Sequence, residues 1–287
     1  MLPRVRTARL SAASPADAPR RRRRVRLGSI WIDALGFAEA LDAIEQLVTD
    51  GHGGAVFTPN VDHVVTAEAD PLFREAYSAA DLCLADGQPL IWASRLLGTP
   101  LPAKVSGSDL VLPLMKRAAD RGWRVYLLGG EEGVAAAVAE RFRRELDARI
   151  VGAEGPRISL QATEDEEMIL QRVRAARPHL VLVALGAPKQ ELWIHRVRQR
   201  IAPAVAVGVG AALGFVADRV RRAPAWMSRA GLEWVFRLFQ EPRRLARRYL
   251  LKDPRFLTVL ARMLRAPRSS RLLLLPRAAG GDACPVI

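Results

Sequence analysis

Between residues 123 and 209 short apolar runs alternate with segments of helical spacing, and most changeovers carry glycine or proline. Runs at 123–128, 149–152, 179–185 and 204–209 read as strands. Segments 134–146, 165–175 and 189–199 repeat apolar residues at the i, i+3, i+4 spacing of amphipathic helices. Strands apolar from end to end are covered on both faces, and strand–helix–strand units join parallel neighbours. The expected fold class is therefore α/β, a mostly parallel sheet flanked by helices. The first half continues less regularly, with strands at 27–32, 55–57 and 81–85 and helices at 36–49, 71–79, 89–97 and 110–120.

In an open sheet of this kind, ligand-binding groups collect where strands stop and helices start. Three polar clusters occupy such positions: Thr58-Pro59-Asn60, Asp86-Gly87-Gln88-Pro89, and Lys104-Val105-Ser106-Gly107-Ser108-Asp109. Gln190 opens another helix after Gly186-Ala187-Pro188. Asp86 follows an apolar strand, and burial there raises a carboxyl's pKa and makes it a better base. Thr58 and Asn60 hold a hydroxyl and an amide in a proline turn, equally suited to capping the next helix. Gly129 and Gly130, with Gly133, follow a strand and open a helix, so their amides suit a nucleotide phosphate. The full dinucleotide fingerprint is missing. His63, His179 and His195 share no ligand spacing and read as structural. Glu164-Asp165-Glu166-Glu167 reads as a charged helix start. No metal and no cofactor are expected.

Charge divides the chain. The net charge is +14, yet residues 1–26 carry nine arginines against one acid, and residues 219–287 sixteen basic residues against four acidic. The stretch between is mildly acidic. Four segments follow: a disordered Arg-rich leader (1–25), an α/β body (26–218), an amphipathic basic helical appendage (219–265) and a tail (266–287). In the appendage Trp226, Phe236, Phe239, Leu245, Tyr249, Leu250 and Leu257 recur among arginines, with breaks at Pro242 and Pro254. By charge alone, anionic lipid, a nucleotide-linked substrate and nucleic acid fit equally well. Cys83 and Cys284 form no disulfide framework, which suits a reducing cytoplasm. The longest apolar run, 201–217, is shorter than the ~18 residues of a membrane span and is interrupted by Pro203 and glycines.

Together these motifs resemble the WecG/TagA/CpsF glycosyltransferases, glycosyltransferase family 26. The resemblance runs from about 27 to 250, through Thr58-Pro59-Asn60, Ala85-Asp86-Gly87-Gln88-Pro89, Val105-Ser106-Gly107-Ser108-Asp109-Leu110, Gly186-Ala187-Pro188-Lys189-Gln190-Glu191, Gly208-Val209-Gly210-Ala211, Gly231-Leu232-Glu233-Trp234 and Glu241-Pro242-Arg243-Arg244. It implies inverting, metal-independent transfer of a sugar from a UDP-sugar to an undecaprenyl-diphosphate-linked saccharide, in cell-surface polysaccharide or exopolysaccharide synthesis. Asp86 would be the base. Thr58, Asn60, Gln88, Lys104, Ser106, Asp109 and Gln190 would bind substrate, and Arg237, Arg244 and Arg247 would meet the nucleotide diphosphate. The appendage would dock on the anionic inner face of the cell membrane from the cytoplasm. Nucleic acid is then not a partner, and a homo-oligomer is compatible.

Lys104 stands where the family usually has Arg, which keeps charge but loses bidentate geometry. Gly214 stands where a carboxylate is common. A catalytically altered member that binds nucleotide or membrane is the alternative reading. A nucleotide-dependent oxidoreductase built on the Gly129-Gly130 turn is a more distant one.

Overall fold

Residues Val125–Gly129, Leu180–Ala184 and Val205–Gly208 are buried along their whole length. In the computed structural model each lies inside a six-stranded parallel sheet. The structure describes residues 22–275, apart from 157, 160–163, 220–222, 225 and 228–230.

The first half contains β1 (Arg22–Leu27), β2 (Ile30–Asp33), α1 (Phe37–Asp50), β3 (Gly54–Phe57), α2 (Val61–Ala69), α3 (Pro71–Ser78), β4 (Leu82–Cys83), α4 (Gln88–Leu96) and α5 (Gly107–Asp120). The second half of the body contains β5 (Val125–Gly129), α6 (Val134–Leu146), β6 (Ile150–Glu154), α7 (Glu164–Ala176), β7 (Leu180–Ala184), α8 (Lys189–Val197), β8 (Val205–Gly208) and α9 (Ala212–Val216). Then come α10 (Glu233–Gln240), α11 (Pro242–Arg247), a π turn (Arg248–Lys252), a 3-10 turn (Asp253–Arg255), α12 (Phe256–Arg265) and β9 (Leu272–Leu275).

The large sheet runs β4-β3-β8-β7-β5-β6. Apolar cores fill both faces: one carries Phe57, Phe73 and Trp193, the other Leu110, Leu114 and Phe142. Each such side chain, fully withdrawn from water, contributes about 1.5–3 kcal/mol. β3 pairs directly with β8, far from it in sequence, so the loops that follow these two strands meet at the carboxyl edge of the sheet, where open α/β sheets bind ligands.

The chain's two ends depart from the sequence reading. The single strand expected at 27–32 is a hairpin, with Gly28 turning at φ +62°. A side chain at Gly28 would strike Glu68, Val64 and Val259, so the turn packs hard against α2 and α12. The leader expected over 1–25 is ordered from Arg22, where β1 begins; residues 1–21 lie outside the described residues. The expected tail contributes β9, which pairs antiparallel with β1, so the small sheet runs β2-β1-β9. Residues 276–287, with Cys284, lie outside the described residues. The small sheet is pinned to the body through Asp33, whose carboxylate accepts from Arg24 Nε (2.9 Å) and the Cys83 amide (2.8 Å). Burial works to raise this carboxyl, but Arg22 and Arg24 more than offset it and hold it below the usual range.

Candidate active site

A cleft of about 540 Å³ opens at the ends of β4, β3, β8 and β7 and is covered on one side by the appendage. Short-range geometry ties its loops together. The Asp86 amide donates to Pro59 O (2.8 Å), joining the loop after β4 to the loop after β3. Thr58 Oγ1 donates to Gly208 O (3.1 Å), joining β3 to β8. Gly107 opens α5 where an added Cβ would sit 3.0 Å from Val209 and 3.1 Å from Thr58 Oγ1.

Asp86 lines this cleft beside Gly87, whose φ of +110° only glycine adopts readily. Burial, then the charge of Glu233, push the Asp86 carboxyl up to about 7; Asp109 adds to this while Lys104 and Arg237 oppose it. A carboxylate poised there suits proton abstraction near neutral pH.

Thr58, Asn60, Gln88, Lys104 and Gln190 all line the same cleft. Asn60 caps α2, accepting from the His63 amide (3.4 Å), and also accepts from Arg248 (3.0 Å). Capping and a place in the cleft are thus combined in one side chain. Gln190 is buried; its amide donates to Glu191 Oε1 (2.7 Å) and accepts from the Gly210 amide (3.0 Å). Ser106 and Asp109 stand a layer behind. Ser106 caps α5, donates to Asp109 Oδ2 (2.6 Å), and Asp109 lies 3.6 Å from Lys104 Nζ.

The nucleotide-binding expectations divide. Arg237 lines the cleft, its guanidinium 5.8 Å from the Phe215 ring centroid. Arg247 is exposed and does not line it; Arg248 does. The Arg244 side chain lies outside the described residues. Gly129 and Gly130 do not line the cleft. Gly129 ends β5 and Gly130 follows it, one strand beyond β7, where the Gly130 amide donates to Ala184 O (2.9 Å). A Cβ at Gly129 would lie 2.5 Å from Ala184 O, so close strand packing explains this glycine.

Several cleft residues had little sequence signal. His63, read as structural, forms part of the wall; burial first, then Arg248, lower its pKa to about 3, and Nδ1 is 2.7 Å from the Tyr77 hydroxyl. Burial pushes the Glu191 carboxyl up to about 7. Glu233, Trp234, Tyr249 and Asp253 come from the appendage. Lys252 Nζ lies 2.6 Å from Asp62 Oδ1, and Arg248 Nε 3.5 Å from Asp62 Oδ2. Burial works to raise Asp62, but these cations hold it below the usual range. Partnering across nearly 200 positions, as in Asn60–Arg248, leaves no local pattern to read. Among the described residues no group of three or more His, Cys, Asp or Glu could hold a metal ion. None of their helices is long and apolar enough to cross a membrane.

Fold and cleft together describe an α/β protein whose strand-end cleft gathers Asp86 with Asp62, Glu233 and Asp253 and the cations Lys104, Arg237 and Arg248. The sequence matches the family described as Glycosyl transferase WecG/TagA/CpsF over residues 25–270. It is also 33% identical, over 224 residues, to an N-acetylglucosaminyldiphosphoundecaprenol N-acetyl-beta-D-mannosaminyltransferase of Bacillus spizizenii, covering 78% of this chain and 85% of that protein. The chain belongs to the WecG/TagA/CpsF family of glycosyltransferases.

Proposed function

We propose that this glycosyltransferase moves a sugar, with inversion, from a UDP-sugar to an undecaprenyl-diphosphate-linked saccharide in cell-surface polysaccharide or exopolysaccharide synthesis. The observation that carries the reading is the Asp86 carboxyl near 7, facing a cleft that also holds Lys104, Arg237 and Arg248. In a single displacement the acceptor hydroxyl oxygen bonds to the anomeric carbon as the bond to UDP breaks. Asp86 takes the hydroxyl proton, and the bonding electrons leave on the diphosphate. The three cations, fixed before reaction, offset the charge that builds there. On this reading no metal is needed, and activity persists in excess EDTA. The appendage over the cleft limits donor hydrolysis by water.

The relative's name makes an N-acetylmannosaminyl donor and an N-acetylglucosaminyl-diphosphoundecaprenol acceptor the first pair to assay. The reaction is measured as UDP release across a panel of UDP-sugars. Asp86→Ala is expected to lower turnover by at least about 10²-fold while leaving UDP-sugar binding largely intact. Near-normal turnover in that variant would remove Asp86 as base. In the wild type kcat/KM rises with pH through about 7, because only the deprotonated carboxylate accepts a proton.

Peripheral docking on the inner face of the cell membrane is supported by the appendage surface. Phe239, Leu250, Leu251 and Leu257 are exposed alongside Arg243 and Arg247. Apolar side chains beside cations suit an anionic bilayer surface. Flotation with vesicles containing phosphatidylglycerol tests this; equal binding to neutral vesicles would remove the electrostatic part.

A further inference from the structure

The appendage brings two acidic side chains, Glu233 and Asp253, into the cleft beside its cations Arg237 and Arg248, and Glu233 is the one that meets Lys104. Glu233 opens α10, and its Oε2 lies 3.7 Å from Lys104 Nζ. Asp109 Oδ2 also lies 3.6 Å from the same Nζ. Asp109 is itself held: Ser106 Oγ donates to its carboxylate (2.6 Å) and accepts from its amide (3.2 Å). Lys104 is therefore met by a carboxylate anchored in the body and by one carried by the appendage. Both side chains of the Lys104–Glu233 pair are mostly withdrawn from solvent, at 19% and 29% exposed, so screening by salt is reduced.

The approach of α10 is itself constrained. Gly231, two residues before Glu233, turns at φ +69°, and an added Cβ would lie 2.5 Å from the Trp92 ring and 3.3 Å from Gln88 Cβ. Gln88 is two residues after Asp86, so the backbone that presents Glu233 crosses directly over the start of α4. Arg237 follows one helical turn after Glu233 and also lines the cleft.

We infer that Glu233 is a positioning residue for Asp86: carried in by the appendage, it engages Lys104 alongside Asp109 and makes the state of the base depend on appendage seating. The inference rests on the reading of Asp86 as the base. The groups acting on Asp86 are Lys104 and Asp109 from the body and Glu233 and Arg237 from α10. Farther around the cleft stand Asp62 and His63 of α2, with Arg248 and Asp253 of the appendage. Among these neighbours Glu233 raises the Asp86 carboxyl most after burial itself, while Lys104 is the first of the opposing cations. Seating α10 thus brings Glu233, which raises the Asp86 carboxyl, together with Arg237, which opposes it less strongly. With α10 lifted away the stronger of these two charges is lost, and Asp86 becomes a weaker base.

The test is the titration of the Asp86 carboxyl carbon by NMR in the full chain, with Asp86→Asn for assignment, in wild type, Glu233→Gln and Glu233→Asp. The Gln variant keeps the shape and loses the charge; the Asp variant keeps the charge. The Asp86 midpoint is expected to fall by roughly one pH unit in Glu233→Gln and to stay near the wild-type value in Glu233→Asp. The acidic limb of kcat/KM should move with it. An unchanged midpoint in Glu233→Gln overturns the inference, as does an equal fall in both variants. If the midpoint moves as expected but Asp86→Ala keeps near-normal turnover, the coupling stands and the base assignment fails. If Asp86→Ala is inactive and the midpoint does not move, the base stands and the coupling fails.

Discussion

α12 buries Phe256, Val259 and Met263 against α2 and the β1–β2 hairpin, and β9 then pairs with β1. α10, separated from α12 only by residues 241–255, has no fully buried residue and leaves Phe239 81% exposed. Both stretches are amphipathic and arginine-rich, so sequence pattern alone treats them as one appendage. Their energetics differ. Three buried apolar side chains of α12 hold the second half to the fold, whereas the first has Leu245 buried and ion pairs such as Lys104–Glu233. Pairs of that kind contribute modestly and are broken more easily than a packed core. The appendage is thus an anchored C-terminal half carrying a more weakly held cover over the cleft.

The largest effect should come from removing the anchor. Deleting 256–287 uncovers the β1 edge and the apolar face of α2, so the remaining chain is expected to aggregate and lose cooperative melting. A monomeric truncation that melts near the full-length temperature would erase the distinction between the halves. Next comes Met263→Ala, expected to cost about 2–4 kcal/mol and to lower Tm by roughly 5–10 °C, with little change in turnover at 25 °C. Differential scanning calorimetry reads the first and UDP release the second.

In the weakly held half, a Phe239→Ser, Leu250→Ser, Leu251→Ser triple variant should reverse that pattern. Vesicle binding is expected to weaken about 10–100-fold, while stability changes by under about 2 kcal/mol. Loss of stability with retained vesicle binding would mean that these side chains serve the fold.

The smallest effect concerns the cleft beneath the cover. The folded Asp86 carboxyl binds its proton more tightly than the ordinary value of 3.8 allows, at about 7. The folded state therefore holds more protons than the unfolded chain between these pH values, and stability falls as pH rises through them. Asp86→Asn, which cannot ionise, should raise Tm by a few degrees at pH 8 and leave it nearly unchanged at pH 4. An equal rise at both pH values would assign the gain to packing instead of charge.

Much of the body was legible because its signals are local. All-apolar strands, glycine at changeovers and caps such as Asn60 and Ser106 depend on neighbours within a few residues. Thr58, Asn60, Asp86 and Gln190 were legible for the same reason, since each sits at a strand end or helix start. The structure departs from the sequence reading where partners are distant. Gly129 and Gly130 have phosphate-loop chemistry, but they stand one strand beyond β7 and do not line the cleft. The resemblance implies Arg247, yet Arg248 is the one that lines the cleft and meets Asn60. Leu272–Leu275 was assigned to a tail because nothing near it in sequence reveals β1 as its partner.

Sequence alone thus determined the α/β class, the body's polar strand-end residues and the family, each carried by short-range patterns. Tertiary structure decided which of those residues share a cleft, which arginine reaches it, and that Glu233 and Asp109 both come within ion-pair distance of Lys104. Those outcomes depend on strand order and helix phase. A single added residue in a turn or a changed neighbour in the sheet alters them while leaving every local signal as it was.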